Sequence, residues 1–237
     1  METSLMTPIY LLNGWGMNQH VLTPLQQALK LPEQQLLCMR DYIAKDLAHS
    51  LQHLRARIPA QSIVIGWSLG GMLALQLALS HPLRAVITLG SNRQFIAQPD
   101  WPEAMPLATF RAFSSSLLSQ PERTLHHFLR LCTQGDRALR QLGTQWIDTH
   151  LTIQDLQVGL DYLAQINNAT PLRAARPLQL HFYATQDALV PLSSMQSLKQ
   201  HYPHHTYHSV PASHAMVYSH AQTLAASITQ WIHQHAL

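Results

Sequence analysis

The sequence predicts an α/β fold: a mostly parallel sheet of about six strands with helices on both faces and a helical cap inserted after the fourth strand. Two patterns carry that expectation. Short apolar runs bounded by turn residues alternate with longer stretches of helical period, and from Asn92 to Pro171 the strand signal gives way to apolar residues at helical spacing alone. Composition agrees. Of 237 residues, 46% are hydrophobic and 11% charged, which excludes a disordered tail, a coiled coil or a highly charged scaffold and leaves enough apolar surface for a sizeable core.

In chain order the candidate elements are strand Ile9–Leu12, helix Val21–Leu29, strand Leu36–Met39, helix Ala44–Arg57, strand Ser62–Gly66, helix Ser68–Ser80 and strand Ala85–Leu89. After the insertion come strand Leu178–Tyr183, helix Ser193–His201, strand Thr206–Val210 and helix His220–His235. Each strand is a short apolar run too brief for a helix, and each helix brings apolar residues to one face. Within the insertion, Phe110, Phe113, Leu117 and Leu118, then Leu125, Phe128 and Leu129, recur with helical period. Pro99, Pro102, Pro106 and Pro121 punctuate its first helices, proline being tolerated at helix starts and poorly inside them. No linker sets the insertion apart, so residues 1–92 and 171–237 are expected to form the core and residues 93–170 a lid packed on it.

Several function classes fall away. Cys38 and Cys132 are too few for a disulfide framework and too isolated for a cysteine-rich zinc site. The sixteen histidines include His126-His127, His204-His205 and the pair His233 and His235, yet none has metal-ligand spacing, so surface histidines and no metal are expected. A net charge of +3, from 15 Lys+Arg against 12 Asp+Glu, is too mild for a nucleic-acid binder. Met1-Glu2-Thr3-Ser4 lacks the basic opening of a secretory signal and no apolar run is long enough to span a membrane, so a cytoplasmic protein is expected; a monomer is expected as well.

The chemistry concentrates in Gly66-Trp67-Ser68-Leu69-Gly70-Gly71, which follows the apolar Ile63-Val64-Ile65 and precedes the helical run from Met72. A Gly-x-Ser-x-Gly between strand and helix is a nucleophile elbow: the serine occupies a strained turn, and the glycines make room for its backbone and for the helix. The alternative is a plain small-residue turn. A serine hydroxyl needs a histidine to take its proton and a carboxylate to orient that histidine, in the chain order Ser, acid, His. Asp187, just past the strand Leu178–Tyr183, is placed for the acid, with a turn cap as its alternative role. His214, directly after the last strand, is placed for the base, whereas His204, His205 and His208 lie before or within that strand. Two backbone amides should face the developing oxyanion: Leu69 N–H at a helix start, and Trp15 N–H in the glycine-rich turn Asn13-Gly14-Trp15-Gly16, where core packing of the indole is a second role.

With these residues in place, the chain resembles the α/β-hydrolase superfamily and, within it, the carboxylesterases of biotin synthesis. Leu11-Leu12-Asn13-Gly14-Trp15-Gly16-Met17-Asn18 is similar to that family's oxyanion turn, and Gly66 to Gly71 to its elbow. The stretch from Phe113 through Glu122-Arg123-Thr124-Leu125 to Phe128-Leu129-Arg130-Leu131-Cys132 is similar to its lid helices. The resemblance implies Ser68 as nucleophile, Asp187 as acid and His214 as base, with Trp15 and Leu69 at the ester carbonyl and Phe128, Leu129, Arg130, Leu131 and Cys132 along the acyl channel. It implies a cofactor-free serine carboxylesterase acting on the methyl ester of pimeloyl-acyl carrier protein; a general short-chain carboxylesterase or thioesterase is the alternative. Arg123 and Arg140 match positions where the family docks the acidic carrier, in an insertion that also holds Arg111, Arg130 and Arg137; a solvated helix face is the other reading. The chain departs from the family at Asn13, where histidine is usual and an amide can still bond within the turn. It departs again at Arg40-Asp41-Tyr42 in place of a glycine-rich segment, and in its first strand, which begins without a preceding hairpin.

Overall fold

The computed structural model describes residues 7–136, 139 and 143–237. Its strands are β1 (Ile9–Leu12), β2 (Leu36–Leu37), β3 (Ile63–Trp67), β4 (Ala85–Leu89), β5 (Leu178–Ala184) and β6 (Thr206–Val210). They form one parallel sheet in the order β2-β1-β3-β4-β5-β6. Successive residues of a strand point to opposite faces, and every residue of β3 and β4 is buried, so both faces of the sheet centre are covered. The cover comes from α1 (Thr23–Ala28), α2 (Met39–Tyr42), α3 (Leu47–Arg57), α4 (Leu69–Ala78), α9 (Leu192–His201), α10 (Met216–Ser219) and α11 (Ala221–Gln234). Between β4 and β5 lie α5 (Leu107–Ser119), α6 (Pro121–Cys132), α7 (Ile153–Gln165) and α8 (Ala169–Arg173), with only isolated bridges among the described residues of that stretch.

Register decides which loops meet. Leu12 pairs with Gly66, so the turn after β1 and the turn after β3 emerge side by side at the carboxyl edge of the sheet. Ala184 pairs with Val210, and Thr185 N–H to Val210 O (2.9 Å) and Gln186 N–H to Ala212 O (2.9 Å) prolong that pairing into the loops carrying Asp187 and His214. In open parallel sheets this edge is where ligands bind, because the loops there converge while helices fill the faces.

The element boundaries differ from the sequence expectation at several places. The second strand stops at Leu37, since Cys38 N–H turns to the Asp41 carboxylate (2.7 Å) and opens α2. The third begins at Ile63, after Ser62 Oγ donates to Pro59 O (2.7 Å). The first helix starts only at Thr23, beyond a short 3-10 turn, with Pro24 in its first turn. The final helix, expected over His220–His235, runs from Ala221 to Gln234, and the short helix α10 that precedes it was not expected.

On β5 the alternate residues Gln179, His181 and Tyr183 are all buried on one face. His181, 1% exposed, shares a 2.7 Å hydrogen bond with Thr88 Oγ1 and stacks on Tyr207. Desolvation, with some repulsion from His205, pushes its pKa down from the ordinary 6.5 to about 3. His205, whose Nε2 donates to Leu172 O (2.8 Å), is pushed down to about 4 by desolvation. An unfolded chain takes up these protons as pH falls below 6.5 while the folded chain refuses them until about 3 to 4, so stability is full above 6.5 and is lost progressively on acidification. Urea unfolding between pH 7 and pH 4 is therefore expected to show ΔG falling with pH, and His181→Gln should lower the slope by at most ~1.4 kcal/mol per pH unit. An unchanged slope in that variant would remove His181 as a contributor.

Candidate active site

Ser68 sits between β3 and α4 at φ 54 and ψ −120, a left-handed conformation that costs a non-glycine residue on the order of 1–3 kcal/mol. Neighbouring bonds hold it there. Ser68 N–H donates to Leu89 O (2.9 Å), and Ser68 O accepts from Ser91 Oγ (2.8 Å) and from Gly71 N–H (3.1 Å). The turn closes only because its glycines are bare: a Cβ on Gly66 would lie 2.3 Å from Gly71 N, and one on Gly70 would lie 2.3 Å from Leu12 O. A serine preceding a helix ordinarily caps it with its hydroxyl, but Ser68 makes no such side-chain bond, so Oγ is not spent on the fold.

His214 is fully buried, and its Nδ1 lies 2.7 Å from Asp187 Oδ2, whose side chain is 1% exposed. The other carboxylate oxygen, Oδ1, accepts Leu189 N–H (2.8 Å) and Val190 N–H (2.9 Å). The two roles foreseen for Asp187, turn cap and partner to the histidine, are thus filled by its two oxygens at once. Nδ1 faces the carboxylate, and His214 Nε2 has no hydrogen-bond partner among the described residues. The Trp67 ring lies 5.3 Å from the imidazole, and the loop backbone is held by Trp67 Nε1, which donates to His214 O (3.0 Å), and by Ala215 N–H, which donates to Cys132 O (3.0 Å) at the end of α6. Cys132 is enclosed, and burial, reinforced by the Asp187 charge, raises its thiol pKa well above the ordinary value, so it stays a neutral packing group.

The turn after β1 approaches the elbow so closely that a Cβ on Gly14 would meet Ser68 Cβ at 3.2 Å. Asn13, fully buried, organises this turn: Oδ1 accepts Gly14 N–H (2.8 Å) while Nδ2 donates to Met17 O (3.1 Å) and Asn18 O (2.6 Å). Its amide does bond within the turn, as expected of it. Trp15 is 1% exposed, donates its indole N–H to Leu156 O on α7 (2.8 Å) and meets Phe128 edge to face at 4.9 Å. Leu69 is the first residue of α4, where backbone N–H groups and the helix dipole favour negative charge.

Beside Trp15 a cavity of about 690 Å³ opens between α5, α6 and α7. Trp15, Phe110, Phe113, Phe128, Leu160 and Leu163 make its apolar wall, and Arg123, His127 and Arg130 stand along α6. Of the acyl-channel residues expected from sequence, Phe128, Arg130 and Leu131 line it, whereas Leu129 and Cys132 are buried and absent from its wall. The reason is helical geometry: five consecutive residues turn through more than a full circle and cannot share one face. Ser68, Leu69 and His214 are not on the wall either; Trp15 belongs to it, as does Leu189, whose N–H holds Asp187. Phe95, Met105, Phe110, Leu160, Leu163 and Leu189 were missed as lining residues: the helical period of Phe110, Leu160 and Leu163 reads equally well as lid core, and Phe95, Met105 and Leu189 lie in loops with no period at all. Arg140 and Arg137 fall outside the described residues, and Arg123 is exposed, donating to Gln120 Oε1 (2.9 Å). Among the described residues no group of three or more His, Cys, Asp and Glu could hold a metal, and no helix is long and apolar enough to cross a membrane.

Residues 8–221 match the family described as the alpha/beta hydrolase fold. The chain is 34% identical over 212 residues to the biotin biosynthesis bifunctional protein BioHC of Teredinibacter turnerae, an alignment covering 83% of this chain and 37% of that protein. It is 35% identical over 237 residues to the protein of the same name from Cellvibrio japonicus, covering 93% and 46%. The chain thus spans less than half the length of these curated relatives. Among solved structures, the esterase EaEST from Exiguobacterium antarcticum superposes with a TM-score of 0.80 at 14% identity, covering 95% of this chain and 91% of that one. A bromoperoxidase from Bacillus anthracis does so with a TM-score of 0.80 at 16% identity, covering 95% and 91%. These two likenesses show the fold alone.

The backbone contact at the elbow has a direct test. Gly66→Ala places a Cβ against main chain that cannot rotate away, so it should destabilise the protein by at least about 1–3 kcal/mol in urea unfolding. Stability within about 0.5 kcal/mol of the parent would mean that the contact relaxes freely.

Proposed function

Because the chain belongs to the α/β hydrolase fold family, we propose that it is a serine carboxylesterase, acting on the methyl ester of a pimeloyl chain carried by acyl carrier protein. The observation that supports this most is the buried His214, with Nδ1 on Asp187 and Nε2 open, in a loop at the same sheet edge as a serine held in a strained turn. The narrower substrate rests on the relatives named for biotin biosynthesis and on the amphipathic lid cavity.

Ser68 Oγ attacks the ester carbonyl while His214 Nε2 takes its proton, and the Asp187 carboxylate stabilises the imidazolium through Nδ1–H. Buried from water, that ion pair interacts far more strongly than it would at the surface. The carbonyl oxygen, now an oxyanion, is received by the Leu69 and Trp15 amides. Methanol leaves with the proton held by His214, and the acyl group stays on Ser68. Water then gives a proton to His214 Nε2 and attacks the acyl-enzyme; that proton passes to Ser68 Oγ as the acyl bond breaks, and the free carboxylic acid departs and loses its proton to solvent. A cavity of about 690 Å³ is of ordinary size for a small-molecule site, and its aromatic wall suits a methylene chain. Arg123, exposed at its edge, suits an acidic carrier that stays outside.

A fluorophosphonate should label the protein at Ser68, and Ser68→Ala should lose both labelling and esterase activity. His214→Ala and Asp187→Ala should each lower kcat by several orders of magnitude, about 10⁴-fold in comparable triads. Acting as one unit, their losses should not multiply in the double variant. A product of the two single losses, or full activity in Ser68→Ala, would sink the assignment.

The carrier reading makes a separate demand. Reversing charge with Arg123→Glu should slow turnover of the carrier-bound ester at low salt and spare a free methyl ester, because charge attraction raises encounter rates and is screened within ~8–10 Å at physiological salt. Equal loss on both substrates, or none on either, would point instead to a solvated helix face.

A further inference from the structure

We propose that the stretch leading from the lid into α7 braces the oxyanion turn, and that Asn18 is the positioning residue through which it does so. The inference rests on the reading of Ser68 as nucleophile and Trp15 N–H as oxyanion donor.

Asn18 uses every polar group it has. Nδ2 donates to Gln145 O (2.7 Å) and Ile147 O (3.0 Å), its main-chain N–H donates to Trp146 O (2.7 Å), and Oδ1 accepts His20 N–H (3.0 Å). Asp148 N–H adds a bond to Gly16 O (2.9 Å), and Met17 pairs with Ile147 as an antiparallel bridge. Residues 145–148, the end of a 3-10 turn (Gly143–Trp146) and the bridge residue that follows it, therefore lie along the oxyanion turn. That segment is anchored: the Asp148 carboxylate, its side chain fully buried, receives Arg40 Nη1 at 3.2 Å and His150 N–H at 3.1 Å, while Trp146 packs on Tyr218 at 5.0 Å. Asn13 grips the turn from within, through Gly14, Met17 and Asn18.

Trp15 thus lies between two fastened points, and its indole is tied to α7 as well. A backbone amide flanked by glycines on both sides is otherwise free to rotate away from the reacting carbonyl, and a donor lowers the barrier only while it points at the place the oxyanion occupies. The Asn13 bonds close the inside of the turn, but the outer carbonyl and amide of Gly16 to Asn18 would face solvent without residues 145–148. Asn18 is the one side chain in this seam that donates to two lid carbonyls.

The test uses the full chain with Asn18→Ala, which removes both donors, and the near-isosteric Asn18→Asp, which keeps the Oδ1 acceptor and sets a carboxylate oxygen against the two carbonyls. Activity on a methyl ester is compared with affinity for an alkyl trifluoromethyl ketone. The ketone carbon bonds to Ser68 Oγ, the hydroxyl proton passes to His214 Nε2, and the ketone oxygen becomes an oxyanion in the same place. Nile red reports the lid cavity, and circular dichroism the folded fraction. Expected are a kcat lower by about tenfold to hundredfold, short of the ~10²–10³ lost when a whole donor is deleted, a KM within about twofold, ketone affinity weakened by the same factor as kcat, and unchanged Nile red binding. If Asn18→Ala does not fold, Asn18→Asp decides. Unaltered kcat and ketone affinity, a loss that merely follows the unfolded fraction, or equal weakening of Nile red and ketone would overturn the brace. Ser68→Ala, run alongside, separates the two levels. Full activity there removes the nucleophile reading and this inference with it, whereas an inactive Ser68→Ala beside unaltered Asn18 variants removes the inference alone.

Discussion

Where β3 turns into α4, main chain touches main chain. Gly70 lies against the carbonyl of Leu12, and Gly66 against the amide of Gly71, at separations that leave no space for a methyl group. This contact lets the helix start immediately after the strand, which forces Ser68 into a left-handed conformation and lifts its side chain out of the capping role a helix-start serine normally has. The same contact brings the end of β1 against the elbow, so the turn of Asn13 to Gly16 has nowhere to go but beside Ser68. The strain is local, and the strands on either side that hold it, β1 and β4, pair with β3 along its length.

The Asp187–His214 pair depends on that edge in a different way. A carboxylate and an imidazole can share a dry pocket only if each remaining polar atom is satisfied or reserved, since an unpaired buried polar group is costly. Asp187 meets the condition by dividing its oxygens between two backbone amides and one imidazole nitrogen. His214 meets it with one nitrogen, while Nε2 has no partner among the described residues. On β5, His181 is kept neutral by burial and shares a hydrogen bond with Thr88 through Nδ1, while its Nε2 likewise has no partner among the described residues.

The helices between β4 and β5 touch the site at both sides. Their first half reaches the base loop through Cys132 O and Ala215 N–H, and their second half reaches the oxyanion turn through residues 145–148. The cavity they enclose shares Trp15 with the turn after β1 and Leu189 with the loop that carries Asp187, so its wall and those two loops are parts of one packed unit. Because a packed interior deforms little, such contacts transmit position rather than absorb it.

The sheet, the helical insertion, the strained turn at Ser68 and the places of Asp187 and His214 could all be read from the chain, because each is announced locally: strand and helix periods, glycines flanking Ser68, and one acid and one histidine directly beyond the last two strands. The short reach of β2 was not announced, since it turns on Cys38 N–H choosing the Asp41 carboxylate over the ladder. Nor was most of the lining of the cavity, where Phe110 and Leu163 join Phe128 from two other helices and where a run such as Phe128 to Cys132 divides between wall and interior. The two oxygens of Asp187 and the lid segment laid along Asn18 belong to the same class. A sequence specifies which residues have the right period and chemistry for an element or a role, because those are properties of neighbours along the chain. Which side chain meets which carbonyl across more than a hundred residues, as Asn18 meets Ile147, is decided only when the packed elements exclude every other partner.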